Sequence, residues 1–360
     1  MDHYAAMLVQ HLVHDRRLEC VLVRPEFHRR LGRMPWPFGS KHGRALDHYL
    51  NRYLDYPRAA ARATGFNLFH IVDQAYAHVA TRLPAKRTVV TCHDLDFADP
   101  PRGTRQAWLV RMTGAMTLPG IRAAARVICD SDAIRSEILR RGLVEPQRLT
   151  VVPLGVEEDF RPDGPGPSPA SEALLARTGP GPMILHVGGM VPRKRIDVVL
   201  RAFALIRLEF PGATLVRVGG PLSPALTALA EQLGAARAIV GMPFLSRAEL
   251  AAIYRRASVL LLCSETEGFG LPVLEAMASG VPVVARELPA VREVAGDAIR
   301  HVPGEDPEAF AASVVALLRD RSLHASMRQR GLDRAAKFRW SHVAEMTARV
   351  YQDVLGQRYQ

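Results

Sequence analysis

The chain has 360 residues, of which 48% are hydrophobic and 23% charged, and its formal net charge is +11. That length suits two domains of ordinary size, and that balance excludes a disordered chain. No run of about 18 apolar residues occurs, which excludes a spanning helix. Aromatic residues are only 6%, so the core must be mostly Leu, Val, Ile and Ala. Of the 47 basic residues, only Lys41, Lys86, Lys194 and Lys337 are lysines. An arginine-rich surface suits an anionic partner, and biased codon usage explains it equally well. No basic cluster is interleaved with aromatics, so nucleic acid is not indicated. Arginine is dense at 16–17, 24, 29–33 and 102–126, which keeps a peripheral contact with an anionic membrane open. Met1-Asp-His-Tyr-Ala-Ala-Met7 lacks the charge and apolar run of a signal peptide, so a cytoplasmic location is expected. Cys20, Cys92, Cys129 and Cys263 lie in or at the end of apolar runs without metal spacing, and read as buried reduced thiols.

Periodicity predicts a helix over 4–14, a strand over 18–23, a helix over 43–62 and strands over 68–72 and 88–92. A helix over 104–124, a strand over 126–130, a helix over 131–141 and a strand over 149–153 follow. Residues 157–182 are rich in Pro and Gly and read as a linker holding one short helix. The alternation restarts with strands at 183–188, 214–219, 237–241, 258–263 and 281–285. Helices are expected at 194–209, 223–234, 246–256, 272–279, 306–319, 321–336 and 340–356. The fold class is therefore α/β, with two doubly wound Rossmann-like domains facing a cleft. The expected divisions are 1–160, a linker 161–182, a second domain 183–338 and a terminal helical segment 339–360. Ligands of such sheets bind at the carboxyl ends of the strands.

Three clusters sit at such ends. Val259-Leu-Leu-Leu-Cys263 reads as a buried strand and leads into Ser264-Glu-Thr-Glu-Gly-Phe-Gly270. A helix follows, with Pro272 in its first turn and Gly280 just past its end. The amides of Gly268, Phe269, Gly270 and Leu271, together with the helix dipole, make an anion site. Glu267 and Glu275 flank it with seven residues between them. Phosphate repels carboxylates, so the pair suggests a ligand with phosphates at one end and hydroxyls elsewhere, such as a nucleotide sugar. The second cluster is Arg193-Lys194-Arg195, after the turn Gly188-Gly189-Met-Val-Pro192. Three cations at a helix start oppose its dipole unless an anion sits there. In the third, His93-Asp94-Leu-Asp96 ends the strand over 88–92, and His70, Asp73, Tyr76 and His78 follow another strand end. His186 and His301 read as structural.

In the setting "SETEGFGLPVLEAMASGVPVVA", Glu267-x7-Glu275 resembles the signature of the retaining glycosyltransferases of family four, which have the GT-B fold. The segments "LTVVPLGVEEDFRP", "ILHVGGMVPRKRIDVVLRAFALI", "LVRVGG" and "LSRAELAAIYRRASVLLLCSE" resemble the same family in its usual order. The resemblance covers residues 66–357, most densely 149–310. It implies transfer of a hexose from a nucleotide diphosphate sugar to a hydroxyl acceptor, with retention of configuration. It implies that Lys194, with Arg193 and the Gly188–Gly189 turn, binds the diphosphate, which the amides of residues 268–271 cradle. Glu275 would hold the ribose hydroxyls, and Glu267 the donor sugar at the catalytic centre. His93 would reach the transferred sugar from the acceptor domain, where His70, Asp73, Tyr76, His78 and Asp94 would line the acceptor site. The family often carries an Arg directly after the first glycine of the turn. Here that residue is Gly189, and Arg193 or Arg195 would substitute.

The resemblance implies no cofactor beyond the co-substrate. Asp94-x-Asp96 mimics a metal-binding pair, but cations and helix dipoles already neutralise the leaving diphosphate, so no metal is expected. A lipid-linked glycan, a polysaccharide end and a small molecule all fit as acceptor. The terminal helix after Trp340 resembles the family's tail that crosses back onto the first domain. The family opens with a strand and a Gly-rich loop before its first helix. Here that helix begins by Tyr4 and "LECVLV" resembles the second strand. The first domain is thus expected to lack its opening strand and loop, with the natural start upstream. That feature keeps a second reading, a non-catalytic nucleotide-sugar binder or partner subunit. A nucleotide-sugar epimerase is a third, without an identifiable acid/base set. A dinucleotide oxidoreductase is disfavoured, because no strand is followed by Gly-x-Gly-x-x-Gly.

Overall fold

The computed structural model describes residues 2–13, 18–31, 41–95 and 105–356. Arg16, Arg17, Arg33, Asp96 and Arg102, singled out above, lie outside the described residues. The chain forms two compact units, Met1–Pro153 with Trp340–Gln360, and Leu154–Arg339.

The first unit carries a four-stranded parallel sheet in the order β1 (Phe69–Ile71), β2 (Thr88–Cys92), β3 (Arg126–Cys129) and β4 (Leu149–Val151). β2 and the end of β3 are buried, as continuous apolar runs in a covered parallel sheet must be. α1 (Asp2–Leu12) packs against α14 (Trp340–Leu355). There the buried Tyr4 ring meets the edges of His93 and Trp340, at 4.9 and 5.6 Å between centroids. α4 (Arg105–Ala123) covers the sheet with the 3₁₀ segment Gln74–Arg82, and α5 (Asp132–Arg140) follows β3 under a Ser131 cap.

Two expectations for this unit are corrected. Residues 18–23 are not a strand. A strand needs a ladder partner, and among the described residues none lies beside this run, so Val21, Leu22 and Val23 are exposed. The helix over 43–62 breaks into α2 (Lys41–Leu50), a π turn over Asn51–Asp55 and α3 (Tyr56–Ala61). Pro57 has no N–H to continue the i→i−4 ladder, and the wider turn absorbs that loss. All four cysteines are free thiols; Cys92, Cys129 and Cys263 are buried, and Cys20 is half-buried.

The second unit has six parallel strands in the order β10-β9-β8-β5-β6-β7. These are β5 (Met183–Val187), β6 (Thr214–Val218), β7 (Ile239–Met242), β8 (Val259–Leu262), β9 (Val283–Arg286) and β10 (Arg300–Val302). Sequence reading missed β10, a short edge strand, and α11 (Pro289–Ala295). On one face, α7 (Ile196–Glu209) and α12 (Pro307–Arg319) bury Phe203 and Phe310 against Ile184, Leu215 and Leu261. Full burial of such side chains stabilises by roughly 1.5–3 kcal/mol each. α8 (Pro224–Gln232), α9 (Arg247–Arg256), α10 (Leu271–Ala278) and α13 (Arg321–Ala335) complete the layers. The Pro/Gly-rich stretch, with its short helix α6 (Pro169–Leu175), is tied onto α9. Arg255 donates to the carbonyls of Asp159, Arg161 and Pro165, and Glu249 accepts from Ser168. Strand order reverses at β5, so the crevice outside the carboxyl ends of β5 and β8 is the expected ligand site.

Gly120, inside α4, faces the 3₁₀ segment backbone to backbone. A Cβ there would lie 1.8 Å from the Ala77 carbonyl oxygen. Gly120→Ala is expected to destabilise the first unit by about 3 kcal/mol, because two backbones must separate. Urea unfolding reads this directly, and a midpoint unchanged from wild type would refute the close approach.

Candidate functional site

The turn after β5 and the loop after β8 meet at the reversal point. Lys194 Nζ lies 2.6 Å from Glu267 Oε1, and both side chains are largely buried. The Glu265 N–H donates to the Arg193 carbonyl at 2.7 Å, and the Arg193 guanidinium donates to the Thr266 carbonyl at 3.2 Å. Arg193 Nη1 stands 3.9 Å from Glu267 Oε2. An ammonium has three donors, and Glu267 takes one from Lys194. The structure therefore brings Gly188, Gly189, Arg193, Lys194 and Glu267 together.

Gly270 caps α10 at φ +97, a left-handed conformation that a side chain would strain. Among the described residues, the N–H groups of Phe269, Gly270 and Leu271 make no hydrogen bond within the chain. They are free donors at the positive end of a helix dipole. The Phe269 side chain is not part of that surface, for it is buried with its ring edge-on to Phe338. Gly280 ends α10 at φ +72, as its sequence position implies.

Glu275 is the fifth residue of α10, one residue deeper than the sequence suggests, and only 3% exposed. Arg247 Nη2 donates to its Oε1 at 2.5 Å and the Tyr254 hydroxyl to its Oε2 at 3.0 Å. Burial pushes the Glu275 carboxyl up, against the pull of Arg247. Arg247 also pairs with Glu157 at 2.6 Å and lies over the Phe160 ring. Arg195 turns away: it is the only non-glycine residue of positive φ among those described, and it pairs with Asp197 and Glu305.

In the first unit, His93 donates from Nδ1 to Asp130 at 2.6 Å and from Nε2 to the Val72 carbonyl at 2.9 Å. Burial raises the Asp130 carboxyl, which shares the Nδ1 proton with the ring; the Val72 carbonyl only accepts, so Nε2 of the ring carries a proton. Burial lowers the His93 pKa, but Asp130 outweighs that and raises it to about 9. Neither ring nitrogen is left over. Gln74 accepts from the His93 N–H and donates to Asp94 at 2.9 Å. His70 bonds Tyr351 and Thr91, each at 2.7 Å, and burial pulls its pKa down to about 3, so it is neutral. Asp73 caps the 3₁₀ segment through the Ala75 N–H, and burial raises its carboxyl. His78 Nε2 donates to the Arg52 carbonyl, and the Tyr76 ring takes the Arg52 guanidinium at 5.2 Å. Of the two structural histidines, His186 bonds the Leu261 carbonyl and His301 the Gly296 carbonyl. Among the described residues no group of three metal-ligating side chains occurs.

Sequence reading missed Asp130, Gln74, Arg247 and Tyr254. Only Asp130 carried a signal, as an acid closing a strand that neighbours the His93 strand.

Residues 1–160 match the family "Glycosyltransferase Family 4" and residues 172–334 match "Glycosyl transferases group 1". A D-inositol 3-phosphate glycosyltransferase of Acidothermus cellulolyticus is 34% identical over 66% of this chain and 55% of its own length. One from Segniliparus rotundus is 29% identical over 77% of this chain and 61% of its own. The chain thus spans little more than half the length of these curated relatives. The sucrose-phosphate synthase structure from Thermosynechococcus elongatus has a TM-score of 0.76 at 20% identity, covering 98% of this chain and 93% of its own. Anabaena HepE, solved with UDP and glucose, has a TM-score of 0.70 at 18% identity, covering 84% of this chain and 83% of its own.

The His93–Asp130 pair makes the stability of the first unit pH-dependent. A histidine whose pKa rises from 6.5 unfolded to about 9 folded stabilises fully below pH 6.5. That contribution, on the order of 3 kcal/mol, is lost as pH rises from 6.5 through 9. Unfolding monitored from pH 6 to 10 should show the loss in wild type and a flatter profile in His93→Gln. Identical profiles would dismiss the charged pair.

Proposed function

The chain belongs to Glycosyltransferase Family 4, and on that premise we propose that it transfers a hexose from a nucleotide diphosphate sugar to a hydroxyl acceptor with retention of configuration. The observation that carries this reading is the Lys194–Glu267 pair across the strand-order reversal, beside unused helix N–H groups. The spare Lys194 donors and the Phe269, Gly270 and Leu271 amides suit the diphosphate. Arg193 adds charge beside them. Glu267 accepts a hydroxyl of the sugar, and the remaining lone pairs of Glu275 accept the ribose hydroxyls. The anomeric carbon–phosphate oxygen bond breaks while the bond to the acceptor oxygen forms on the same face. The acceptor proton passes to the departing phosphate oxygen. The protein's contribution is orientation and stabilisation of the leaving charge.

No metal is required in this scheme, because fixed cations and amides meet the diphosphate. His93 is paired with Asp130, and touching a sugar hydroxyl would require it to exchange Val72 or Asp130. Asp94, His70, Asp73, Tyr76 and His78 remain the acceptor-side candidates; Asp94, His70 and Tyr76 are half-buried, and Asp73 and His78 are buried. Two of the relatives are named for D-inositol 3-phosphate, and a polyol phosphate is a small acceptor of the proposed kind. No helix among the described residues is long and apolar enough to cross a membrane. The exposed Trp108 and Met116 on the arginine-bearing α4 suit peripheral contact with an anionic bilayer.

Lys194→Ala should weaken nucleoside diphosphate binding about tenfold or more, since it removes a charge-assisted hydrogen bond worth roughly 1.5–3 kcal/mol. Unchanged calorimetric affinity across UDP, GDP and ADP would reject the assignment. Glu267→Ala should lose turnover more than nucleoside diphosphate affinity, measured with the donor that a nucleotide-sugar screen identifies. The reverse pattern would exchange the two roles. EDTA should leave transfer intact; loss restored by manganese would make the reaction metal-dependent.

A further inference from the structure

Arg217 is the fourth residue of β6, in register with His186 of β5 and Gly241 of β7. By strand alternation it shares the face of Leu215, a core residue. A guanidinium at such a position is unexpected, and it is 1% exposed. Its Nη1 donates to the Gly220 carbonyl, and its Nη2 to the carbonyls of Gly188 at 3.0 Å and Gly219 at 3.4 Å. Nε has no partner, and no carboxylate pairs with it among the described residues. Burial accordingly lowers its pKa. His186 Nε2, in the neighbouring strand, is also buried without a partner. A buried cation facing only neutral carbonyls is costly unless an anion completes the site.

Gly188 and Gly189 begin the turn that carries Lys194. A trans peptide points its C=O and N–H in opposite directions. Holding the Gly188 carbonyl on Arg217 therefore turns the Gly189 N–H away from the strand end. That N–H makes no hydrogen bond within the chain among the described residues. The other two arginines near this turn are otherwise committed. Arg195 pairs with Asp197 and Glu305, and Arg193 reaches the Thr266 carbonyl and the side of Glu267.

We propose that Arg217 is a positioning residue for the donor diphosphate: it aims the Gly189 N–H and supplies, from β6, the positive charge that residue 189 lacks. This rests on the nucleotide-sugar reading of the same site. A Cβ at Gly189 would meet only Phe244 Cζ, at 3.9 Å, so that position has room for a side chain. The charge can therefore be moved experimentally from 217 to 189.

Binding of UDP, GDP and ADP, and of their nucleosides, is measured by calorimetry for wild type, Arg217→Met, Gly189→Arg and the double variant. Arg217→Met should lower affinity for the accepted diphosphate about tenfold and for its nucleoside less than about twofold. Adding Gly189→Arg should recover most of the loss, which a purely structural arginine would not allow. Equal losses for both ligands, or no recovery, would overturn the proposal. If Arg217→Met does not fold, Gly189→Arg alone decides. With Arg217 already supplying the charge its gain should be under about threefold, and a gain of about tenfold overturns the idea. Failure of wild type to bind any of the three diphosphates would refute the nucleotide reading itself, and this inference with it.

Discussion

The second unit's site depends on one approach of backbone to backbone, Gly219 against the Gly188 carbonyl. A Cβ on Gly219 would sit 2.1 Å from that oxygen, and the residue's φ of +132 suits glycine alone. The contact brings the end of β6 under the turn after β5. From there one guanidinium spans three carbonyls, and the same turn delivers Lys194 to the loop after β8. The side chains that carry charge are arranged on this glycine framework.

Both units pair part of their buried charge internally, and each leaves some buried polar atoms without a partner. In the first, His93 finds Asp130, Gln74 ties Asp94 to the His93 backbone, and His70 is kept neutral between two hydroxyls. Of these groups, Asp130 keeps one buried oxygen, Oδ1, without a partner. In the second, Lys194 is one-third used, Arg217 faces only carbonyls, and three amides at α10 have no acceptor. Buried polar groups ordinarily find partners. In the second unit the under-used donors gather at the carboxyl ends of β5, β6 and β8.

Much of this was legible in the sequence because its signals are local. Buried parallel strands announce themselves as apolar runs, and Gly270, Pro272 and Gly280 set the limits of α10 through rules of single residues. Glu267 and Lys194 were readable because each sits one loop past a strand. The segment over 18–23 misled because an apolar run predicts burial, while a strand also needs a neighbour that the run itself does not specify. The break near Pro57 was signalled but overridden by a long amphipathic pattern. Arg217 was visible as a charge inside "LVRVGG", yet its meaning lay in three carbonyls from two separate turns. Arg247 and Tyr254 were hidden for the same reason: α9 meets Glu275 only once the sheet is assembled.

Arg195 holds its left-handed backbone at a cost of order 1 kcal/mol, and its guanidinium is fastened to Asp197 and to Glu305. Glu305 is in turn fastened to Arg286 at the end of β9. The residue directly after Lys194 is thus moored by ionic contacts that water reaches, and mobile ions compete for such contacts. Raised salt should loosen the turn that presents the lysine as it screens the lysine's charge, so any salt sensitivity of anion binding at this edge would combine a mechanical part with a Coulombic one.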